Sequence, residues 1–210
     1  MATSAELAAL RQRISSLLIG GTCSRIHFQW GTVNFRAGGY VVVGMSIGVA
    51  PGHRTGHGAH RQVGVDVEHM PAGVGAMYRA GPNNIVVPTA GYGNTPDDRM
   101  SLVHEATHAV FDYHRIHATA LEEEACSYLA GAMFDLIENP SSTFAVGSIF
   151  AVALDIARDF VAPMRQLSPW STEVSPEQRA RLISAVRSSS TYSDLRAQPR
   201  TRYPHNGGRI

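Results

Sequence analysis

Apolar residues recur at a helical period near the start of the chain. Leu7, Leu10, Ile14, Leu17 and Leu18 fall on one face, and Gly20-Gly21 ends the run. The period then changes to two. Ile26, Phe28 and Trp30 alternate with polar residues, Val33 and Phe35 continue, and Tyr40-Val41-Val42-Val43 follows Gly38-Gly39, so the pattern predicts two or three strands between Arg25 and Ala50. Residues 51–61, rich in Gly and His, read as a loop; Val63 to Val67 and Asn84 to Pro88 read as short strands. Beyond Gly93 the period is helical again. Thr95-Pro96-Asp97-Asp98 has an N-cap, a proline at the first helical position and acids in the first turn. Thr119 with Glu122 three residues on is a capping box, and its helix runs to Glu138 before Asn139-Pro140. Two more helices are expected, over 143–166 and 176–188.

These elements describe one α+β domain over residues 1–190. A small mixed or antiparallel sheet belongs to its N-terminal half, and its C-terminal half is mainly helical. Residues 191–210, dominated by Ser, Arg, Pro and Gly, read as a poorly ordered tail. No internal repeat is visible.

Composition narrows the choice of function. The chain has 210 residues, 44% hydrophobic, enough for a sizeable core. Net charge is +1, with 18 Arg and no Lys, so the basic stripe that phosphate binding requires is missing and no nucleic-acid partner is expected. Cys23 and Cys126 are far apart and in no metal-type spacing, which argues against a disulfide framework. The first residues lack the basic and apolar regions of a secretory signal. The most apolar stretch, 144–161, contains Asp155, Arg158 and Asp159 and is too short and too charged to span a bilayer. No membrane partner is expected, and the expected location is cytoplasmic.

The chemistry concentrates in His104-Glu105-Ala106-Thr107-His108. Residues four apart on a helix project from one face a turn apart, so both imidazoles can point at one ion about 2 Å away. Glu105 lies beside them, offset around the axis, where it can take a proton from metal-activated water without being a ligand. This spacing predicts a Zn2+ site with His104 and His108 as ligands and Glu105 as general base. A catalytic zinc takes a third protein ligand and keeps one position open.

Here the sequence resembles the gluzincins, the thermolysin-like and aminopeptidase-like branch of the zincin metallopeptidases. The resemblance covers about residues 104–128. In that branch a Glu on the next helix, in a pattern like Glu-x-x-x-(Asp or Tyr), completes the site, and Glu124 with Tyr128 matches it. The resemblance thus implies Glu124 as third ligand, with Glu122 left to cap the helix and Glu123 as an alternative ligand. The rival is His114, which has metzincin spacing from His104 and His108. That family breaks its helix at a Gly, where this chain has Phe111. A zincin-like fold is implied in the same way, and by analogy Ile85 to Pro88 as the edge strand that pairs with an extended substrate. Tyr128, Tyr113 and His114 are candidates for stabilising an oxyanion, with Tyr128 ranked first.

Other features carry less. His53, His57 and His60 form a possible second ion site in the loop, His117 pairs with His114 near a helix end, and Arg79 could meet an acidic partner. The expected function is therefore a zinc-dependent metallopeptidase acting on a peptide or protein substrate. Two alternatives stay open: a metal-binding domain used for sensing, structure or protein interaction, and a zinc hydrolase of esters or small amides.

Overall fold

The computed structural model describes residues 2–36, 38–48, 62–71, 74–164, 173–198 and 202–203. Helix α1, Ser4–Ile19, starts at a Thr3–Glu6 capping box and buries Leu10, Ile14 and Leu18. Strands β1, Phe28–Trp30, and β2, Val33–Phe35, follow as an antiparallel hairpin.

The next element differs from its expectation. Tyr40 to Val43 is not a strand but part of helix α2, Gly38–Gly48. Its β-branched residues favour a strand locally, yet Tyr40, Val43 and Ile47 are buried at helical spacing. Tertiary packing overrides propensity here. At Gly44 an added Cβ would stand 3.0 Å from both Ile19 Cγ1 and Leu18 Cβ, and Ser15 Oγ donates to Gly44 O at 2.8 Å. At Gly39 a Cβ would meet Val110 Cγ1 at 2.7 Å. Two glycines let α2 lie close against two other helices.

Strands β3, Gly64–Val67, β4, Met77–Arg79, and β5, Asn84–Val87, form a second sheet in the order β3-β5-β4. β3 is parallel to β5 and β4 antiparallel to it. The strand expected at the edge is therefore the central one. Ile85, Val86 and Val87 are fully buried, and the edge strand against the 96–114 helix is β4, too short and too mixed in pattern to stand out in the sequence.

Helix α3, Pro96–His114, has Thr95 and Asp98 as its capping box and closes at Arg115 in the left-handed region, φ 50°, with Ile116 N–H donating to Phe111 O. Helix α4, Ala120–Glu138, starts at the Thr119–Glu122 box and packs antiparallel along α3. Helix α5, Ile149–Met164, covers α4. Strand β6, Glu173–Val174, then pairs parallel with β1, so the first sheet draws on the helical half as well. Helix α6, Pro176–Ser188, lies where expected. The segment expected as a poorly ordered tail is helical in part, with a 3-10 turn at Ser190–Tyr192 and a short α7, Ser193–Ala197. Tyr192 and Leu195 pack against the core, which supplies the apolar contact that the polar composition hid.

The fold is α+β, with two small mixed sheets. Among the described residues, no helix is long and apolar enough to cross a membrane.

Candidate metal centre

Residues 102 to 112 of α3 are buried almost without interruption, so its histidines are shielded between β4 and α4. His104 Nε2 and His108 Nε2 stand 3.4 Å apart. From α4, Glu124 brings Oε2 to 3.4 Å from His104 Nε2 and Oε1 to 3.6 Å from His108 Nε2. A tetrahedral ion with bonds of about 2.0–2.1 Å needs ligand atoms about 3.3–3.4 Å apart. Two imidazoles and one carboxylate at these separations fit such an ion and leave a fourth position for water or substrate. All three residues are buried and can hold a metal ion.

Glu105 lies against this group without belonging to it. Its Oε1 is 3.9 Å from His104 Nε2, and its Oε2 accepts the backbone N–H of Tyr78 at 2.6 Å. Burial raises its pKa above the ordinary carboxylate value, against the lowering effect of the two histidines. Tyr78 is itself fixed: its hydroxyl reaches Asp112 Oδ2 at 2.6 Å and Asn83 Oδ1 at 2.7 Å, which ties β4 to α3.

Glu123 contributes in a different way from the ligand role held open for it. Its Oε1 sits 2.7 Å from His108 Nδ1. With the Nδ1 proton donated there, Nε2 is left as the metal-facing nitrogen. His104 lacks an equivalent support among the described residues: its Nδ1 is buried with no hydrogen-bond partner there, and the Tyr128 and His104 rings meet edge-on with centroids 4.6 Å apart.

Charge within the cluster is strongly coupled. Burial opposes protonation of His108, but Glu124, Glu123 and Glu105 outweigh it and lift the pKa to about 9. Burial would raise Glu124; His108, His104 and Tyr203 instead bring it down to about 2. In the metal-free protein, a proton on His108 therefore supplies part of the positive charge that an ion would bring.

Two tyrosines from beyond α6 complete the arrangement. Tyr192 donates its hydroxyl to Glu124 Oε2 at 2.7 Å, and Tyr203 donates to Glu124 Oε1 at 2.5 Å. Burial, reinforced by Glu124, raises the pKa of both phenols well above the usual value, so they remain donors. Tyr128 does not line the cavity. Its hydroxyl lies 3.0 Å from that of Tyr192, and burial pushes its pKa up to about 12.

The cluster opens into a cavity of about 390 Å3, walled by Val74, Ala76, Met77 and Tyr78 on one side and by Tyr192 and Tyr203 on the other. His114 is not part of it. Since α3 continues past Phe111, His114 turns away and lines a separate cavity with Asn34, Arg36 and His117. Its ring lies 5.0 Å from that of Tyr113, and neither residue lines the cavity at the cluster. Glu122 caps α4 as expected. Arg79 pairs with Glu68 through two bonds of 2.8 and 2.9 Å. His53, His57 and His60 lie outside the described residues.

No local pattern points to Tyr78, Tyr192 or Tyr203, because each reaches the centre through tertiary contacts. Aromatic residues in an otherwise polar tail were the only available hint. No protein-family model matches the chain, and neither a curated protein nor a solved structure matches it.

Proposed function

We propose that this protein is a Zn2+-dependent hydrolase that cleaves peptide bonds. In this reading it is a zincin-type enzyme with the gluzincin arrangement, in which the third ligand comes from the next helix. The observation that supports it most is the near-equal spacing of His104, His108 and Glu124, at 3.4, 3.4 and 3.6 Å, with Glu105 beside them on a cavity.

Bound there, zinc would supply a Lewis acid that acidifies water and polarises a carbonyl. His104, His108 and Glu124 hold it. Glu105 accepts a proton from the attacking water and returns it to the departing amide nitrogen. Burial raises the proton affinity of this carboxylate, which makes it a stronger acceptor for the water proton. The Tyr78 N–H holds Oε2 of Glu105 and keeps Oε1 towards the histidines. A cavity with apolar walls accepts a peptide or protein segment; esters and small amides are the alternative substrates for the same ligands.

Glu105→Gln tests this directly. The variant should keep stoichiometric zinc while cleavage of a broad peptide library falls by about 100-fold or more. Undiminished cleavage would overturn the role of Glu105. The second reading, a metal-binding domain for sensing, structure or interaction, draws on the two phenols that crowd Glu124. Stoichiometric zinc with no cleavage by the unmodified protein would select it.

A further inference from the structure

We propose that Tyr192 and Tyr203 are positioning residues for the metal centre, so that docking of the C-terminal segment and metal binding strengthen each other. The proposal rests on the metal-binding part of the reading above and not on hydrolysis.

The terminal torsion of a glutamate is soft, so a carboxylate held at one oxygen can still swing. Glu124 is held at both. Tyr192 engages Oε2 and Tyr203 engages Oε1, each through a short bond to a charged acceptor. The same two oxygens face the imidazoles, Oε2 towards His104 and Oε1 towards His108. A carboxylate oxygen has two acceptor positions, so each can take one phenol and still offer a lone pair to the ion. Anchors on different oxygens fix the plane of the carboxylate before any ion arrives.

The anchors are themselves supported. The hydroxyl of Tyr192 lies 3.0 Å from that of Tyr128, and the Tyr203 ring lies edge-on to His108 at 5.7 Å. Neither phenol belongs to α3 or α4: they follow Glu124 by 68 and 79 residues. A segment that reads from its composition as an appendage is thus bonded to a ligand. Coupling between two binding events is reciprocal, so a segment that orders Glu124 for the ion is in turn held by the ion.

Zinc titration of the full-length protein against a competing chelator tests this, using Tyr203→Phe and the double variant Tyr192→Phe/Tyr203→Phe. Phe keeps each ring in place and removes only the hydroxyl. Zinc affinity should fall by about tenfold in the single variant and by up to about a hundredfold in the double one. With Co2+ in place of zinc, the visible spectrum should change in both variants, which a purely structural role would not produce. Tyr113→Phe, outside the cavity, should leave affinity and spectrum as they were. Saturating zinc should slow tryptic cleavage at Arg202 in the unmodified protein and protect less in the double variant. Unchanged zinc affinity would overturn the proposal, and so would tighter binding, which would mean that the phenols compete with the ion for Glu124. If the unmodified protein binds no zinc, the metal-centre reading falls and this one with it.

Discussion

Two regions of the molecule converge on Glu124, and they are built on different principles. The α3–α4 pair supplies the candidate ligands from side chains close in sequence, set by helical period and by two capping boxes. The segment after α6 supplies phenols through contacts that span 68 and 79 residues. The first arrangement follows from short-range geometry. The second exists only once the chain has folded. A metal centre can therefore have a locally encoded inner layer and a wholly tertiary outer one.

Removing a ligand should separate the two layers most sharply. Glu124→Ala takes away the group both regions share and leaves the phenols without their acceptor. Zinc affinity should drop by well over about 100-fold, beyond the loss expected from any supporting residue. Elemental analysis after desalting checks it, and retained stoichiometric zinc would refute the ligand assignment.

Next in size is the response to pH. His108, raised to about 9, must lose its proton before its Nε2 can bind zinc. Between pH 6.5 and about 9, zinc binding should release that proton and strengthen by about tenfold per pH unit. The metal-free protein should behave oppositely over that window. A raised histidine pKa gives stability that is fully present below 6.5 and is lost as pH rises through about 9. The depressed Glu124 gives stability present above 4.5 and lost as pH falls through about 2. Thermal unfolding of chelated protein across this range, beside zinc titrations at each pH, tests both signs. A zinc affinity independent of pH would contradict the coupling.

Glu123→Ala asks how much the α3–α4 pair supports itself without the phenols. Loss of its contact with His108 Nδ1 should cost about 10- to 100-fold in zinc affinity. An effect on His108 without any change in affinity would show that ring orientation is fixed by packing alone. The smallest effect is expected at the cap. Thr119→Ala should lower stability by about 1 kcal/mol, measured by urea unfolding, with the ligand set unaltered.

The same division explains what could be read before folding. Thr95, Thr119 and Ser175 are followed three residues on by Asp98, Glu122 and Gln178, and all three helices begin where these boxes stand. The spacing of His104 and His108 brought them together, with Glu124 beside them. Tyr40 to Val43 misled because β-branched runs favour strands until glycines such as Gly39 and Gly44 admit neighbouring helices. β4 and β6 carry too few residues to show a period, and Tyr192 and Tyr203 carry none at all.

One detail of α4 reaches further. Glu123 and Glu124 are consecutive, yet they grip the same imidazole from opposite sides, one at Nδ1 and one facing Nε2. Successive residues on a helix differ by about 100° of rotation. His108 thus acts as an angular gauge between two cylinders: a twist of α4 by a fraction of a turn loosens one acid as it crowds the other. Substitutions far along α4 that do no more than rotate it should then be felt first as weakened metal retention, before the fold itself gives way.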